Sequence, residues 1–279
     1  TIHLLDQRRL AVSFHINGPS GPMTWHAKAL QTSYISPPGD GHVCAQEGED
    51  GFPFPCASWF FIDAIDMAFD QPTPCLVCFG DSITDGSGST VNGDDRWPDV
   101  LRRAIHQKYG RHLAIVNQGI GSNEILRPLT YDPDQATNGG PSALERLTRD
   151  VLSLSHVKGV IWLEGINDLG HARATADDLY KGVEQGVVHM RKELPGVKIF
   201  LATLLTSLGA TTAGHGDPEV DIERRRFNDL LRASRIHDGL IDFEQATLDP
   251  TTGRMRADMK PGSSIGGAGD GLHPNRLGY

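Results

Sequence analysis

The sequence predicts an α/β protein: a three-layer α/β/α domain on a parallel sheet of five strands, preceded by a smaller β-rich unit. From about residue 70 onward, short apolar runs typical of buried strands alternate with amphipathic segments typical of helices. Strands and helices in alternation indicate a mostly parallel sheet covered on both faces. Residues 1 to about 70 instead contain β-like segments between loops rich in Gly and Pro, with no helix signal.

The strands of the larger part are predicted from apolar runs, and the helices from one-sided apolar spacing and end signals. The five runs are residues 75–79, 113–116, 159–164, 198–204 and 239–243. Pro98 suits the first turn of a helix, and Thr175 suits an N-cap. The predicted helices span residues 97–110, 140–154, 175–196 and 217–235. In the smaller part the β-like segments are residues 9–16, 23–35 and 58–69, and the alternation extends back over residues 1–8.

The composition of the chain limits the classes of function to consider. The chain has 279 residues, 38% of them hydrophobic and 22% charged, as in an ordinary soluble globular protein. Its formal net charge of -9 argues against a nucleic-acid partner, which would need a basic surface. The apolar runs are far below the roughly 20 residues of a membrane span, so none is expected. Since the chain starts at Thr1 and stops at Tyr279 just after a His-Pro-Asn turn, we interpret it as a fragment or processed form.

The four cysteines allow two interpretations at one pair and favour one at the other. Cys44 and Cys56 flank an acidic, glycine-rich loop, and they could close it as a disulfide or remain two free thiols. Cys75 and Cys78 have the C-x-x-C spacing of redox and zinc sites, but on a strand their side chains point to opposite faces. No second ligand pair exists in the chain. We therefore expect both to be core residues.

Chemistry-bearing residues follow the predicted strands. Ligands of open parallel sheets bind beyond the carboxyl ends of the strands, and Ser82 lies just past the first of them. From the tripeptide Gly80-Asp81-Ser82 alone, Ser82 could equally be a turn serine that caps the next segment. The stretch is not a G-x-S-x-G elbow, because Thr84 stands where the second glycine would be, and no Gly-Lys-Ser/Thr follows as in a P-loop.

Three further loops carry what a nucleophilic serine needs. Asp270 and His273 are three residues apart in a loop after the last strand, where a turn can bring the carboxylate to Nδ1–H of the imidazole. The glycine-bearing loop at residues 117–126 and Asn167 follow two other strands and could donate N–H groups to an oxyanion. Each of these loops, taken alone, could equally be a turn without a function. Together they carry the residue types that one acyl-transfer reaction needs.

The blocks "FGDSITDG", "NQGIGSN", "GIND" and "DGLHPN", in this order and spacing, resemble those of the SGNH (GDSL-type) hydrolases. They span residues 79 to 275, nearly the whole α/β part. The resemblance implies a flavodoxin-like fold and a serine esterase that needs no metal or other cofactor. The stretches "RWPDVL", "GPSALER" and "SWFF" further resemble the secreted, xylan-associated subgroup with an N-terminal β-sandwich-like domain. We therefore expect an accessory β-rich domain at 1–70, incomplete at its start, and a hydrolase domain at 71–279 that lacks its C-terminal helix.

The resemblance also implies a role for each residue. Ser82 would be the nucleophile and, with Asn167, an oxyanion donor; His273 would be the general base, oriented by Asp270. Ser122 stands where the family has a glycine that donates its backbone N–H, the one departure from the pattern. Asp81 is expected to support the site, and Gly121 to compensate for the missing glycine.

Three functional hypotheses are compatible with the sequence. The leading one is an esterase acting on short acyl groups of a small molecule or a polysaccharide, such as acetyl groups on plant polysaccharide, with secretion favoured by the resemblance. The second is a carbohydrate-binding protein whose hydrolase domain Ser122 inactivates. The third, a metal-dependent hydrolase using some of the twelve histidines, lacks an H-x-x-x-H or clustered carboxylate motif. The sequence does not indicate the oligomeric state.

Overall fold

The first part of the chain forms two small antiparallel sheets in the computed structural model, which describes residues 9–21, 23–39, 41–68, 72–129, 139–260 and 269–279. Strand β1 pairs with β4, and β2 pairs with β3. A short 3₁₀ helix over Gly41–Ala45 lies between the two inner strands. The bounds are Trp25–His26 for β1, Ser33–Ile35 for β2, Phe54–Cys56 for β3 and Trp59–Phe60 for β4.

These strands are shorter than the sequence predicts. The segment 9–16 forms no strand, and its alternating apolar side chains, Leu10, Val12, Phe14 and Ile16, are all exposed. Alternation produces a strand only where a partner strand and a buried face exist, and among the described residues this segment has neither. Of segment 58–69 only β4 is a strand; residue 69 and the predicted extension over residues 1–8 lie outside the described residues.

The sheet of the larger part confirms the predicted fold class. Its five strands are all parallel and lie in the order β6-β5-β7-β8-β9. This order places the first strand of the domain inside the sheet, as in flavodoxin-like folds. The strands span Cys75–Gly80 (β5), Ala114–Gly119 (β6), Val157–Leu163 (β7), Lys198–Ala202 (β8) and Gly239–Ile241 (β9).

The helices between the strands agree with the prediction in three cases and differ in one. The predicted helix over residues 140–154 is α3 followed by a π-helical stretch, Thr148–Leu152. Short helices directly after β5, β7 and β9 are too brief for a periodicity signal. The bounds are Ser82–Asp85 (α1), Trp97–Tyr109 (α2), Ala143–Leu147 (α3), Ile166–Gly170 (α4), Ala176–Glu193 (α5), Pro218–Ala233 (α6) and Phe243–Thr247 (α7), with a 3₁₀ turn over Ala257–Met259.

The core lies on both faces of β5. Cys75, Val77 and Phe79 belong to the larger apolar cluster, while Leu76 and Cys78 pack with Trp97 on the other face. The expectation that the two C-x-x-C side chains are core residues on opposite faces is confirmed. All four cysteines are free thiols in the structure, and burial raises the pKa of the Cys75 thiol to about 11. The loop flanked by Cys44 and Cys56 is therefore not closed by a disulfide here.

Candidate active site

Ser82 begins the one-turn helix α1 directly after β5. Asp81 is the N-cap, and its Oδ1 accepts a hydrogen bond from the backbone N–H of Ile83 at 2.9 Å. Gly86 ends the helix in the left-handed region, at φ 96°. A side chain at Gly80 would overlap the carbonyl of Leu163 in β7, so glycine is required where the two strands end side by side. The chain therefore turns sharply and presents Ser82 at the carboxyl edge of the sheet.

The structure brings Ser82, His273 and Asp270 into one hydrogen-bonded line, although they are far apart in sequence. Ser82 Oγ lies 2.7 Å from His273 Nε2, and His273 Nδ1 lies 2.6 Å from Asp270 Oδ2. Both distances are those of direct hydrogen bonds. In this geometry Nδ1 donates to the carboxylate, so Nε2 carries the lone pair that accepts the serine proton.

Asp270 is fixed from several sides. Its Oδ1 accepts the backbone N–H groups of Leu272 and His273 at 2.9 and 2.8 Å, and Thr212 donates its hydroxyl to Oδ2 at 3.3 Å. Burial alone would raise the pKa of this carboxyl. The hydrogen bonds and charge of His273, with the Leu272 N–H, outweigh burial and hold that pKa well below its ordinary value. Asp270 therefore stays a carboxylate throughout the neutral and mildly acidic range.

Asn167 lies in α4, just past the end of β7, and its amide has a defined contact on each side. Its Nδ2 donates to the carbonyl oxygen of Asn123 at 2.9 Å, and its Oδ1 lies 3.0 Å from His215 Nε2. Only one of the two Nδ2 hydrogens is used by Asn123, so one N–H remains for a ligand. The contact with Asn123 ties Asn167 to the loop after β6, which contains Ser122.

Ser122 adopts the left-handed conformation, at φ 61°, a region that glycine reaches more readily than other residues. A serine in this region of backbone conformation carries more strain than a glycine would. Gly121 does not have a positive φ, and a side chain there would meet only Asp85 Oδ2, at 3.9 Å, so it does not take over the left-handed position. A close approach precedes the loop at Gly119, the last residue of β6, whose added side chain would overlap the Asp85 backbone in α1.

Buried acids lie beneath the site. Burial raises the pKa of Asp81 well above its ordinary value and raises that of Asp168 to about 7, in each case with a contribution from the charge of Glu164. Asp168 accepts the backbone N–H groups of Ile125 and Leu126, which fixes the chain beyond the Ser122 loop. Asp81 and Asp168 therefore hold backbone N–H groups just past the strand ends.

Arg146 in α3 was not identified from the sequence, although it holds several strand ends together. It is fully buried and donates to the carbonyls of Gly80 and Gln118 at 2.8 and 2.9 Å and to Asn123 Oδ1 at 2.6 Å. Its guanidinium also lies over the Phe79 ring, at 4.1 Å from the centroid. Arg146 therefore joins the ends of β5 and β6 to the side chain of Asn123, whose backbone carbonyl accepts from Asn167.

The loop after β8 also contributes to the site, although the sequence pattern did not identify it. In residues 207–216, here called the β8 loop, the backbone N–H of Thr211 donates to the Asp270 carbonyl at 2.8 Å. The same loop supplies Thr212 to the Asp270 carboxylate and His215 to Asn167. The rule that ligands bind beyond strand ends applies to this loop too, and its glycines and threonines were the available signal.

Two features are absent from the described ranges. No group of three or more His, Cys, Asp or Glu residues there is arranged to hold a metal ion. In the same ranges, none of the helices combines the length and apolar character that crossing a membrane requires.

Comparisons with known proteins place this geometry in context. The model of the GDSL-like Lipase/Acylhydrolase family matches residues 78–279. Among solved structures, a proposed arylesterase from Agrobacterium tumefaciens str. C58 is 18% identical, with a TM-score of 0.53 over 74% of this chain and 92% of its own. The lipase/acylhydrolase from Enterococcus faecalis is 20% identical, with a TM-score of 0.52 over 74% and 90%. At these identities the likeness shows the fold. No match was found among curated proteins.

Proposed function

Because the chain belongs to the GDSL-like Lipase/Acylhydrolase family, we propose that it is a serine esterase that works through an acyl-enzyme. The observation that carries the proposal is the line from Ser82 Oγ to His273 Nε2 to Asp270, with contacts of 2.7 and 2.6 Å. A serine hydroxyl is a weak nucleophile unless a base accepts its proton, and the base must be held in one tautomer. This arrangement supplies both.

In the proposed reaction Ser82 Oγ attacks the ester carbonyl carbon while its proton passes to His273 Nε2. The carbonyl oxygen becomes an oxyanion, for which we assign three donors: the backbone N–H groups of Ser82 and Ser122 and the remaining Nδ2–H of Asn167. Collapse of this intermediate breaks the bond to the leaving alcohol, which takes the proton from His273. Water, deprotonated by His273, then attacks the acyl-enzyme and releases the acid and Ser82. The carboxylate of Asp270 stabilises the imidazolium in both halves.

The substrate class we propose is an ester of a short acyl group, such as acetyl on a plant polysaccharide. Two features support it. The sequence has no long apolar stretch that would form a lid or an acyl tunnel. Ser122 also places a hydroxymethyl group where the family has a glycine, which narrows the room beside a donor that touches the substrate carbonyl.

We further propose that residues 1–70 are an accessory unit to a hydrolase domain of residues 71–279. The unit is anchored at the loop that follows α1. The Asn92 side chain accepts from the Thr32 backbone N–H at 2.8 Å, and Arg96 donates to the Ala29 carbonyl at 2.8 Å. His26 also approaches Asp85 in α1, with 2.8 Å between Nε2 and Oδ1. These contacts support a role for the unit beside α1 and the loop that follows it.

The direct test is steady-state hydrolysis of p-nitrophenyl acetate by the wild type, Ser82→Ala and the control variant Ser87→Ala. We expect Ser82→Ala to lose about 10⁴-fold or more of kcat, since nothing else supplies the attacking oxygen. Ser87→Ala should stay near wild type. Retention of more than a few per cent of kcat in folded Ser82→Ala would refute the assignment, and an inactive wild type would favour the carbohydrate-binding alternative.

The substrate class is tested separately, by acetate release from acetylated xylan and by p-nitrophenyl esters from acetyl to octanoyl. A rate that falls as the acyl chain lengthens is expected. A preference for octanoyl over acetyl would contradict the short-acyl proposal while leaving the serine mechanism intact.

A further inference from the structure

His215, in the β8 loop, is buried with both ring nitrogens against polar atoms. Its residue exposure is 1%. Nε2 lies 3.0 Å from Oδ1 of Asn167, and Nδ1 lies 3.0 Å from the carbonyl oxygen of Ala213. Burying a histidine beside an amide side chain fixes both groups, because a buried polar group without a hydrogen-bond partner is destabilising.

The ring is held in place by the loop and by α4. Ser207 Oγ donates to the His215 carbonyl at 2.8 Å, and the His215 N–H donates to the Thr212 carbonyl at 3.1 Å. The imidazole lies against Gly170, the last residue of α4, where an added Cβ would come within 2.7 Å of the ring. It also packs edge-on against His171, with centroids 4.7 Å apart. Glycine at position 170 thus provides the space in which the ring reaches Asn167.

The Asn167 amide can point in two ways, and only one keeps its N–H groups on the side of the Asn123 carbonyl. In the observed orientation Nδ2 faces that carbonyl and Oδ1 faces His215. The reversed orientation would bring Oδ1 against the Asn123 oxygen, two acceptors with no proton between them. An N–H on His215 Nε2 selects the observed orientation, because it needs an acceptor.

We propose that His215 is a positioning residue of the oxyanion site: its Nε2–H holds Asn167 with Oδ1 inward, so that an Nδ2–H is presented to the developing oxyanion. The proposal rests on the proposed function, in which Asn167 is an oxyanion donor. His215 touches no reacting atom; it acts through Asn167 alone. Preorganised donors are effective in catalysis because they need no reorientation when charge develops.

The environment of His215 is consistent with an N–H on Nε2. Burial is the main influence and lowers the pKa of the ring, the charges of His171 and His273 add to this, and the Ala213 carbonyl and Asp270 oppose it. The net direction favours a neutral ring near pH 7, which carries one N–H. Both ring nitrogens face acceptors, Asn167 Oδ1 and the Ala213 carbonyl, and the single N–H of the neutral ring can serve only one of them. Because the Asn123 carbonyl fixes the Asn167 amide with Oδ1 toward the ring, we assign the N–H to Nε2, and only the imidazolium formed at lower pH donates to both acceptors.

The test compares His215→Gln with His215→Asn. The Gln side-chain amide can place an N–H near the position of Nε2, whereas that of Asn reaches only the position of Nδ1. With p-nitrophenyl acetate we expect His215→Gln to keep kcat within about 5-fold, and His215→Asn to lose about 10- to 100-fold in kcat with KM little changed. Gly170→Ala, which displaces the ring without removing it, should likewise lower kcat. Thermal unfolding of each variant checks the fold.

The decisive comparison places His215→Asn in the Asn167→Ala background. If His215 acts through Asn167, the second change should lower kcat by less than about 2-fold there. An equal loss in both backgrounds, or equal losses for the Gln and Asn variants, would overturn the inference. If Asn167→Ala is impaired but His215→Asn is not, only the inference fails. If Asn167→Ala keeps wild-type kcat, the proposed oxyanion role fails and the inference with it.

Discussion

Replacing Asp270 by asparagine tests the orientation of His273 with the smallest change of shape. The oxygen of the new amide can still accept the backbone N–H groups that Oδ1 accepts from Leu272 and His273. The NH₂ group of that amide then occupies the place of Oδ2, 2.6 Å from His273 Nδ1 in the wild type. A donor in that place requires Nδ1 to be the acceptor, so the proton moves to Nε2, which faces Ser82. The imidazole can then no longer accept the serine proton.

We expect Asp270→Asn to lower kcat on p-nitrophenyl acetate by about 10³- to 10⁴-fold, which is about 4 to 5.5 kcal/mol of activation free energy. The free energy of unfolding should fall much less, by roughly 1 to 3 kcal/mol, because a charge-assisted hydrogen bond is lost while the two backbone contacts stay. Steady-state kinetics and denaturant unfolding measure the two quantities on the same samples.

Thr212→Val is the matched control. It removes the hydroxyl that donates to Asp270 Oδ2 at 3.3 Å but leaves the contact between Asp270 and His273. We expect a loss of less than about 10-fold in kcat, since a long neutral contact contributes little. If Asp270→Asn kept more than about a tenth of wild-type kcat, or if Thr212→Val lost as much as Asp270→Asn, Asp270 would not be the group that orients His273.

Two more predictions concern the neighbouring loops. Ser122→Gly should stay within about 1 kcal/mol in unfolding free energy, because relief of the left-handed strain offsets the extra freedom of the unfolded chain. It should keep kcat on the acetyl ester within about 5-fold and improve butyryl relative to acetyl; no such gain, measured with both p-nitrophenyl esters, would dispose of the steric role. The pKa of Asp168 is raised by burial to about 7 in the folded protein, above its value in the unfolded chain. Between about pH 4 and 7 the folded state therefore holds this proton more tightly than the unfolded state, and the free energy of unfolding of the wild type falls as the pH rises. The difference in unfolding free energy between wild type and Asp168→Asn should therefore shrink by up to a few kcal/mol over that range, and a constant difference in denaturant titrations would contradict the raised pKa.

The sequence predicted the parallel sheet because its strands are continuous apolar runs with little competing interpretation. β5 and β7 are buried along nearly their whole length, so their composition alone reports their place. The strands of the N-terminal part were harder to predict, because an alternating pattern such as that of residues 9–16 reports only local preference. Whether a strand forms there depends on a partner, which the local pattern does not specify.

The same distinction holds for the candidate site. Ser82, Asn167 and His273 follow strands or lie in a recognisable loop, so strand-end position and motif spacing could identify them. Arg146 and His215 could not be found in this way. An arginine on a helix resembles a surface residue until the fold buries it, and one histidine among twelve carries no signal until the β8 loop brings it to Asn167. Their contacts are long-range, whereas local patterns report short-range structure.

The most direct test of the account is to identify the residue that a fluorophosphonate probe modifies. A nucleophilic serine displaces fluoride from the probe and forms a stable oxygen–phosphorus bond, so that peptide mass spectrometry locates the attacking atom. We predict one label per chain, on Ser82, with loss of esterase activity in proportion to labelling, and much slower labelling in His273→Ala. Labelling of another residue in the wild type, or full labelling of Ser82→Ala, would contradict the claim that Ser82 is the nucleophile.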